Sequence, residues 1–446
     1  MRSAPTELLD LTVHGVEDFE DKVVVVHGSE YHVDRYLGAG IARIVHLLRN
    51  PRSGLSLHVI KIERDPLAGH VDAAAATLEP LVREPRLSTI IPDLLIVAIP
   101  GGRVEVQVYG GGKDIADDPF GDHLDEAQLA VSTERWAEAA EVYRRVLVEN
   151  SSHTFALNNL AFCKDRMGDV SAAIEYSGRA VTIEPIYRPY RLANASLLEK
   201  AGHRRAALDS MESVRTLWPY RHEHDGWVVD LYCGVGRPDL AAALVAEERQ
   251  KAPDDDNLAE TERKVRAAVE SKARADALFE QARDALIPGS RDTVKQGPDR
   301  DRTVTTLLER ACDEYGDDPY IRADLGLALR RVGDYASSAD HLVWASFVIN
   351  NELVPSCLAN AAFSCILADD LSPAAALLET VEGLLPPDAR SVADLPGVGG
   401  WFDPDGWVVE EPPSTAEGLL SRVASMSPSA ARLADAYRRA AESMAE

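Results

Sequence analysis

Residues 154–187 read TFALNNLAFCKDRMGDVSAAIEYSGRAVTIEPIY, and residues 188–221 and 222–255 repeat their punctuation at a strict period of 34. Three columns carry the repeat: Gly168, Gly202 and Gly236; Ala173, Ala207 and Ala241; Pro185, Pro219 and Pro253. A fixed period of this size marks one supersecondary unit stacked on copies of itself. The residue chemistry fits a helical hairpin, with glycine where the chain turns, a small alanine where two helices approach, and proline where the second helix stops. A partial unit precedes the ladder, because Ala139 and Tyr143 fall 34 residues before Ala173 and Ser177. The ladder predicts a mostly helical solenoid and favours binding over chemistry.

Working outward, residues 1–118 are strand-rich. Lys22–His27, Leu55–Ile62, Asp93–Ile99 and Arg103–Tyr109 are short β-branched runs separated by Gly or Pro. Between the second and third, the alanine-rich Val71–Val82 reads as one helix, so the expected domain is α+β, a small antiparallel sheet plus a helix. Gly110–Gly112 and the acidic Asp114–Asp118 stretch set its boundary. Residues 119–256 form the first repeat block, opening with the amphipathic spacing of Trp136, Ala139, Tyr143 and Val146. Residues 257–301 read as a solvated, charged helix and a flexible linker. A second block occupies 302–387; in its unit 319–352, Leu325, Gly326, Leu329, Gly333, Tyr335 and Ala345 keep the repeat's offsets. The next unit, with Ala361 and Ala374–Ala376, is shifted, and 388–446 is a Pro/Gly-rich connector ending in short helices.

Composition narrows the function classes. A formal net charge of −26 argues against nucleic acid or an anionic membrane surface as partner, since both require a basic face. Five widely spaced cysteines without a Cys-x-x-Cys pair suggest neither a disulfide framework nor a zinc site. The opening MRSAPTELLDL lacks a secretory pattern, and no apolar run reaches the ~20 residues that span a bilayer. The expected location is the cytoplasm.

The helical blocks resemble tetratricopeptide repeats. In 154–187, Asn159-Leu160-Ala161 stands at the tight contact of the first helix, Gly168-Asp169 turns the chain, Ala173, Tyr176 and Ala180 pack the second helix, and Pro185 ends it. The resemblance implies a superhelix whose concave face, lined by the first helix of each pair, holds a peptide or partner helix. It assigns to that face Phe155, Asn158, Phe162 and Asp165, then Leu192, Ser196 and Glu199, then Glu223, Asp230 and Cys233. Some family members grip a terminal carboxylate with Lys, Asn and Arg. Asn159 fits that clamp, but Glu223 and Trp227 stand at later basic positions, so a carboxylate clamp is not expected.

The N-terminal part resembles the small lobe of a eukaryotic-type protein kinase. Leu37-Gly38-Ala39-Gly40-Ile41-Ala42-Arg43-Ile44-Val45 follows a glycine-rich phosphate loop, with Arg43 in place of the third glycine. Val59-Ile60-Lys61 stands sixteen residues after Val45, where a phosphate-binding lysine falls, and Glu79 or Glu84 would be its ion-pair partner. By this resemblance Gly38, Gly40, Lys61 and Glu79 would form an ATP site. The catalytic-loop and metal-binding aspartate motifs of the large lobe are absent, and helical repeats begin where that lobe would start.

His222-Glu223-His224-Asp225 offers neighbouring residues that do not converge readily on one ion, so no metal is expected. Asp225-Gly226-Trp227-Val228-Val229-Asp230 recurs almost unchanged as Asp405-Gly406-Trp407-Val408-Val409-Glu410, a match that coincidence or packing explains better than function, although Trp407 could dock the tail. The resulting expectation is a non-enzymatic adaptor that binds a protein through its repeats and requires no cofactor, with the N-terminal domain as a docking or regulatory module. The alternative is a nucleotide-responsive regulator or split pseudokinase that needs a partner in trans.

Overall fold

The computed structural model describes residues 7–11, 14, 19–20, 22–39, 43–63, 94–100, 102–108, 119–219, 224–251, 253, 256–286, 298–349, 353–384 and 431. The strand-rich start forms β1 (Val23–Val26), β2 (Ser29–Ala39), β3 (Arg43–Arg49), β4 (His58–Glu63), β5 (Leu94–Ile99) and β6 (Gly102–Val108). They make one antiparallel sheet in the order β1-β2-β3-β4-β6-β5. Strand alternation puts Tyr31, Val33, Leu48, His58, Ile60, Ile62, Val104 and Val106 on one face, all buried. The β2–β3 pair was not legible as two strands. Its register shifts twice, between Val33 and Tyr36 and between Tyr36 and Gly38, so the apolar alternation breaks at Asp34 and Arg35. The expected helix at Val71–Val82, the Gly110–Gly112 boundary and, residue 431 apart, everything beyond residue 387 lie outside the described residues.

Helices follow: α1 (Gly121–Ser132), α2 (Trp136–Glu149), α3 (Thr154–Arg166), α4 (Val170–Ile183), α5 (Arg188–Lys200), α6 (Arg204–Leu217), α7 (Asp225–Gly234), α8 (Pro238–Lys251), α9 (Asp256–Leu286), α10 (Pro298–Glu314), α11 (Pro319–Val332), α12 (Tyr335–Ser346), α13 (Val354–Leu367) and α14 (Leu371–Leu384). The chain divides into two compact units, Met1–Ala201 with Ala206–Asp225, and Gly202–Arg205 with Gly226–Glu446. In the first, α1 to α5 pack each on the next; in the second, α8 to α14 do the same. Among the described residues, no helix is long and apolar enough to cross a membrane.

The glycine column has a backbone cause. Gly168, Gly202, Gly236 and Gly333 end first helices with φ of 82°, 86°, 78° and 91°, a left-handed conformation that glycine adopts without a Cβ penalty. Glu134 and Asp369, with φ of 58° and 60°, hold the same place in the first and last of the described hairpins. The partial unit before the ladder is therefore a whole hairpin, α1–α2, hidden in sequence because a glutamate replaces the marker glycine. Five residues beyond each left-handed position stand Ala139, Ala173, Ala207, Ala241, Ser338 and Ala374, all buried. At Gly326 an added Cβ would lie 2.7 Å from Leu342 Cγ and 3.0 Å from the Ser338 carbonyl oxygen, so α11 and α12 meet there almost backbone to backbone.

The stretch expected to be a solvated helix is only half solvated. In α9 the stripe Ala268, Ala275, Leu278, Phe279 and Ala282 keeps helical spacing and joins the core of α10 and α11. Its charge density masked that stripe, because alanines supply much of the buried face.

Candidate functional site

Three places in the first unit concentrate chemistry. The first is the surface of α3 and α5, the first helices of successive hairpins. Phe155 is half-buried and packs on the α1–α4 core, while Asn158 and Leu192 are half-buried and Ser196 is exposed. Asn159 donates to the Phe155 carbonyl at 2.8 Å, a bond that ties it to its own helix. Phe162 is 38% exposed and meets the Trp136 ring edge-on at 5.6 Å. The Arg166 guanidinium stands 5.1 Å from the Phe162 ring and 5.7 Å from that of Trp136, a cation–π cluster at the surface. Lys200 of α5 pairs with Asp165 of α3 at 2.5 Å, which joins the two neighbouring first helices at their surface. Asp230, in the second unit, is exposed on α7, and Glu223 lies outside the described residues.

The second place is the strand that carries Lys61. Gly38 pairs with Val45 across the β2–β3 hairpin, and Val45 pairs with Lys61, so the glycine strand and the lysine lie on neighbouring ladders. The Lys61 ammonium donates to Gln107 at 2.6 Å and to Glu105 at 3.2 Å, both on β6. Glu105 is almost wholly buried, and a buried carboxylate needs such a cation. Gly40, Glu79 and Glu84 lie outside the described residues. Sequence reading missed Glu105 because it sought the partner on a helix. The strand register Lys61↔Glu105 supplies one instead.

The third place is the seam where the sheet meets the α4–α5 loop. Glu184, at the end of α4, has no exposed surface. Its carboxylate accepts from the Tyr31 hydroxyl at 3.0 Å and from Ser53 Oγ at 2.9 Å. Around it, Asn50 Nδ2 donates to the Ile183 carbonyl at 2.7 Å and Asn150 Nδ2 to the Ser53 carbonyl at 3.0 Å. His58 Nε2 donates to the Ile186 carbonyl at 3.3 Å, and the His58 ring meets those of Tyr31 and Tyr187 edge-on. Burial pushes the Glu184 carboxyl up to about 7 against the pull of its donors, and burial holds His58 down at about 4. The Tyr31 hydroxyl is raised by burial and by the neighbouring carboxylate.

None of these seam residues stood out in the sequence, though one signal existed. Glu184 precedes the ladder proline Pro185, and an acid at a hairpin end has no helical reason to be buried. Beside the seam, a cavity of about 450 Å³ opens between the sheet and the first hairpins, lined by Arg35, Arg49, Ser53, Phe120, Asn150 and His153 among others.

No protein-family model matches the chain, and no curated protein matches it in sequence. Solved structures that resemble it are tetratricopeptide-repeat proteins. One is from Parabacteroides merdae, at 12% identity over 60% of this chain and 94% of that chain, with a TM-score of 0.31. Another is the TPR2AB domain of yeast Sti1 in complex with pHSP90, at 14% identity over 61% and 92%, TM-score 0.20. A third is YrrB, a TPR protein with an unusual peptide-binding site, at 11% identity over 56% and 95%, TM-score 0.19.

Proposed function

We propose that this chain is a non-enzymatic, cytoplasmic scaffold that binds a protein partner along the first helices of its first repeat block. The observation that carries the reading is the row on α3 and α5. Half-buried Asn158 and Leu192 and exposed Phe162 and Ser196 repeat at one helix face, with Trp136 and Arg166 beside them. Aromatic and arginine side chains partly open to solvent are what protein interfaces use as anchors. A peptide or helix laid there would bury Phe162 and Leu192 and satisfy the asparagine and serine at its edges. The sheet domain, held by the Glu184 seam, would serve as a docking or regulatory module.

The test is capture from native lysate by the wild-type chain and by Phe162→Ala/Leu192→Ala, with circular dichroism as the folding control. The expected result is a partner held by the wild type and lost by the folded variant. Equal capture by both rejects the assignment of this face.

A second reading has one observation in its favour. The β2–β3–β4 order sets the Gly38 strand near Lys61, the arrangement a kinase-like nucleotide lobe would use. Against it, the Lys61 ammonium is already held by Glu105 and Gln107. Thermal denaturation with ATP and Mg²⁺ separates the two. The scaffold reading expects no shift, whereas a shift of several degrees that disappears in Lys61→Ala favours the nucleotide-responsive regulator.

A further inference from the structure

The cavity of about 450 Å³ in the first unit has the size of small-molecule sites, which run from ~300 to ~1,000 Å³. None of Asn158, Phe162, Leu192 and Ser196 lines it, and neither does Lys61. Two arginines do, Arg35 of β2 and Arg49 of β3, and among the described lining residues Asp34 is the one carboxylate. In a chain with a net charge of −26 this is a local reversal of sign.

A backbone irregularity puts this charge there. On a regular strand successive side chains fall on opposite faces, so Asp34 and Arg35 would part. Between the pairs Val33↔Leu48 and Tyr36↔His46, however, two residues of β2 stand opposite one of β3, Leu47. That is a β-bulge, which re-aims side chains at a cost in pairing, and both Asp34 and Arg35 line the cavity with Leu47. Arg49, two residues beyond Leu47, shares its face. Arg49 Nε lies 3.7 Å from Asp34 Oδ2, a loose ion pair, and among the described residues its guanidinium makes no hydrogen bond. A guanidinium carries five donors in a fork that matches a carboxylate or phosphoryl group. Ser56 adds a half-buried hydroxyl, and Leu47, Leu55 and Phe120 supply an apolar wall. The β3–β4 turn is fixed in advance: Gly54 N–H donates to the Asn50 carbonyl at 2.9 Å and Asn50 N–H to the Leu55 carbonyl at 3.0 Å.

We propose that this cavity binds a small organic oxyanion, a phosphate monoester or a carboxylate with an apolar body. Arg49 and Arg35 pair with the oxyanion, Ser56 donates to it, and Phe120 and Leu55 hold the apolar part. Ser53, which lines the same cavity, also donates to Glu184 and accepts from Asn150, so an occupant tightens the turn that joins the sheet to the hairpins. The sheet domain thereby becomes a ligand-responsive module, whatever partner α3 and α5 hold.

The test is calorimetric titration of the full-length chain with phenyl phosphate, with benzoate and with neutral phenol. The expected result is saturable binding of at least one of the two anions with a Kd below ~1 mM, and no binding of phenol. Phenyl phosphate alone identifies the phosphate source, benzoate alone the carboxylate source. Arg49→Gln, checked for folding by circular dichroism, is expected to weaken the bound anion at least tenfold. Arg144→Gln, on α2 and paired with Glu141, is expected to leave it unchanged. A second measurement needs no variant: the anion is expected to slow hydrogen exchange of the wild-type turn 50–57 at least tenfold and to leave α14 unaffected. Binding of neither anion, equal binding of phenol, equal binding by Arg49→Gln, or binding without protection of the turn overturns the proposal. So does binding that Lys61→Ala abolishes and Arg49→Gln keeps, which would move the anion to the strand of Lys61.

Discussion

At Gly168 the backbone is left-handed, and a Cβ would meet nothing within 4 Å, so alanine there is strained but not crowded. At Gly326 the backbone is ordinary helix and the obstacle is Leu342 and the Ser338 carbonyl. The first substitution removes a conformational preference worth ~1 kcal/mol. The second forces two helices apart at ~1–3 kcal/mol. Gly326→Ala is therefore expected to lower the urea midpoint more than Gly168→Ala. The converse site is Glu134, a residue with a side chain in the same left-handed place. Glu134→Gly is expected to raise the midpoint slightly, by up to ~1 kcal/mol, since relief of strain is partly offset by glycine's freer unfolded state. A lower midpoint for Glu134→Gly would mean that its side chain contributes more than its backbone costs.

Between elements, the seam joins a carboxyl raised to about 7 and an imidazole lowered to about 4, both by burial. Their signs oppose. Glu184, raised from an ordinary 4.5, stabilises the fold fully below that value and loses the contribution as pH rises to 7. His58, lowered from 6.5, contributes above that value and loses it as pH falls to 4. Across the shared window the two proton balances offset each other, so the wild-type seam is expected to be nearly flat in pH. Glu184→Gln unmasks His58 and makes stability rise with pH between 4 and 6.5, at up to ~1.4 kcal/mol per pH unit. His58→Gln does the reverse and makes stability fall between 4.5 and 7. Urea titrations across pH check both slopes, and parallel profiles for the two variants would show that the seam does not titrate. This pairing also shows where sequence reading stops. Helical hairpins were legible because glycine, alanine and proline report local backbone needs at fixed spacing. Tyr31, Ser53, His58 and Glu184 are more than a hundred residues apart across the seam, and no local period records a contact between a sheet and a loop. Phe162 and Asn158 were legible as surface positions because they follow the repeat, whereas Glu105 was not, because a strand register has to be known first.

For the molecule as a whole, the repeat makes each position predictable in place but not in role. Phe162 and Phe363 hold the same place in their hairpins, yet one is partly open and the other closed. Stability in a repeat array sums over units and their neighbours, so it is best measured locally, by hydrogen exchange in α3 and α13. Phe363→Ala removes a fully buried aromatic ring and is expected to reduce α13 protection by ~3–5 kcal/mol. Phe162→Ala removes a ring that water already reaches, so α3 protection is expected to fall by less than ~1 kcal/mol. Partner capture should follow the opposite order, lost in Phe162→Ala and retained in Phe363→Ala wherever the first unit still folds. A chain that used both blocks as equal binding surfaces would lose capture in both variants. Loss in the second alone would place the partner on the second repeat block.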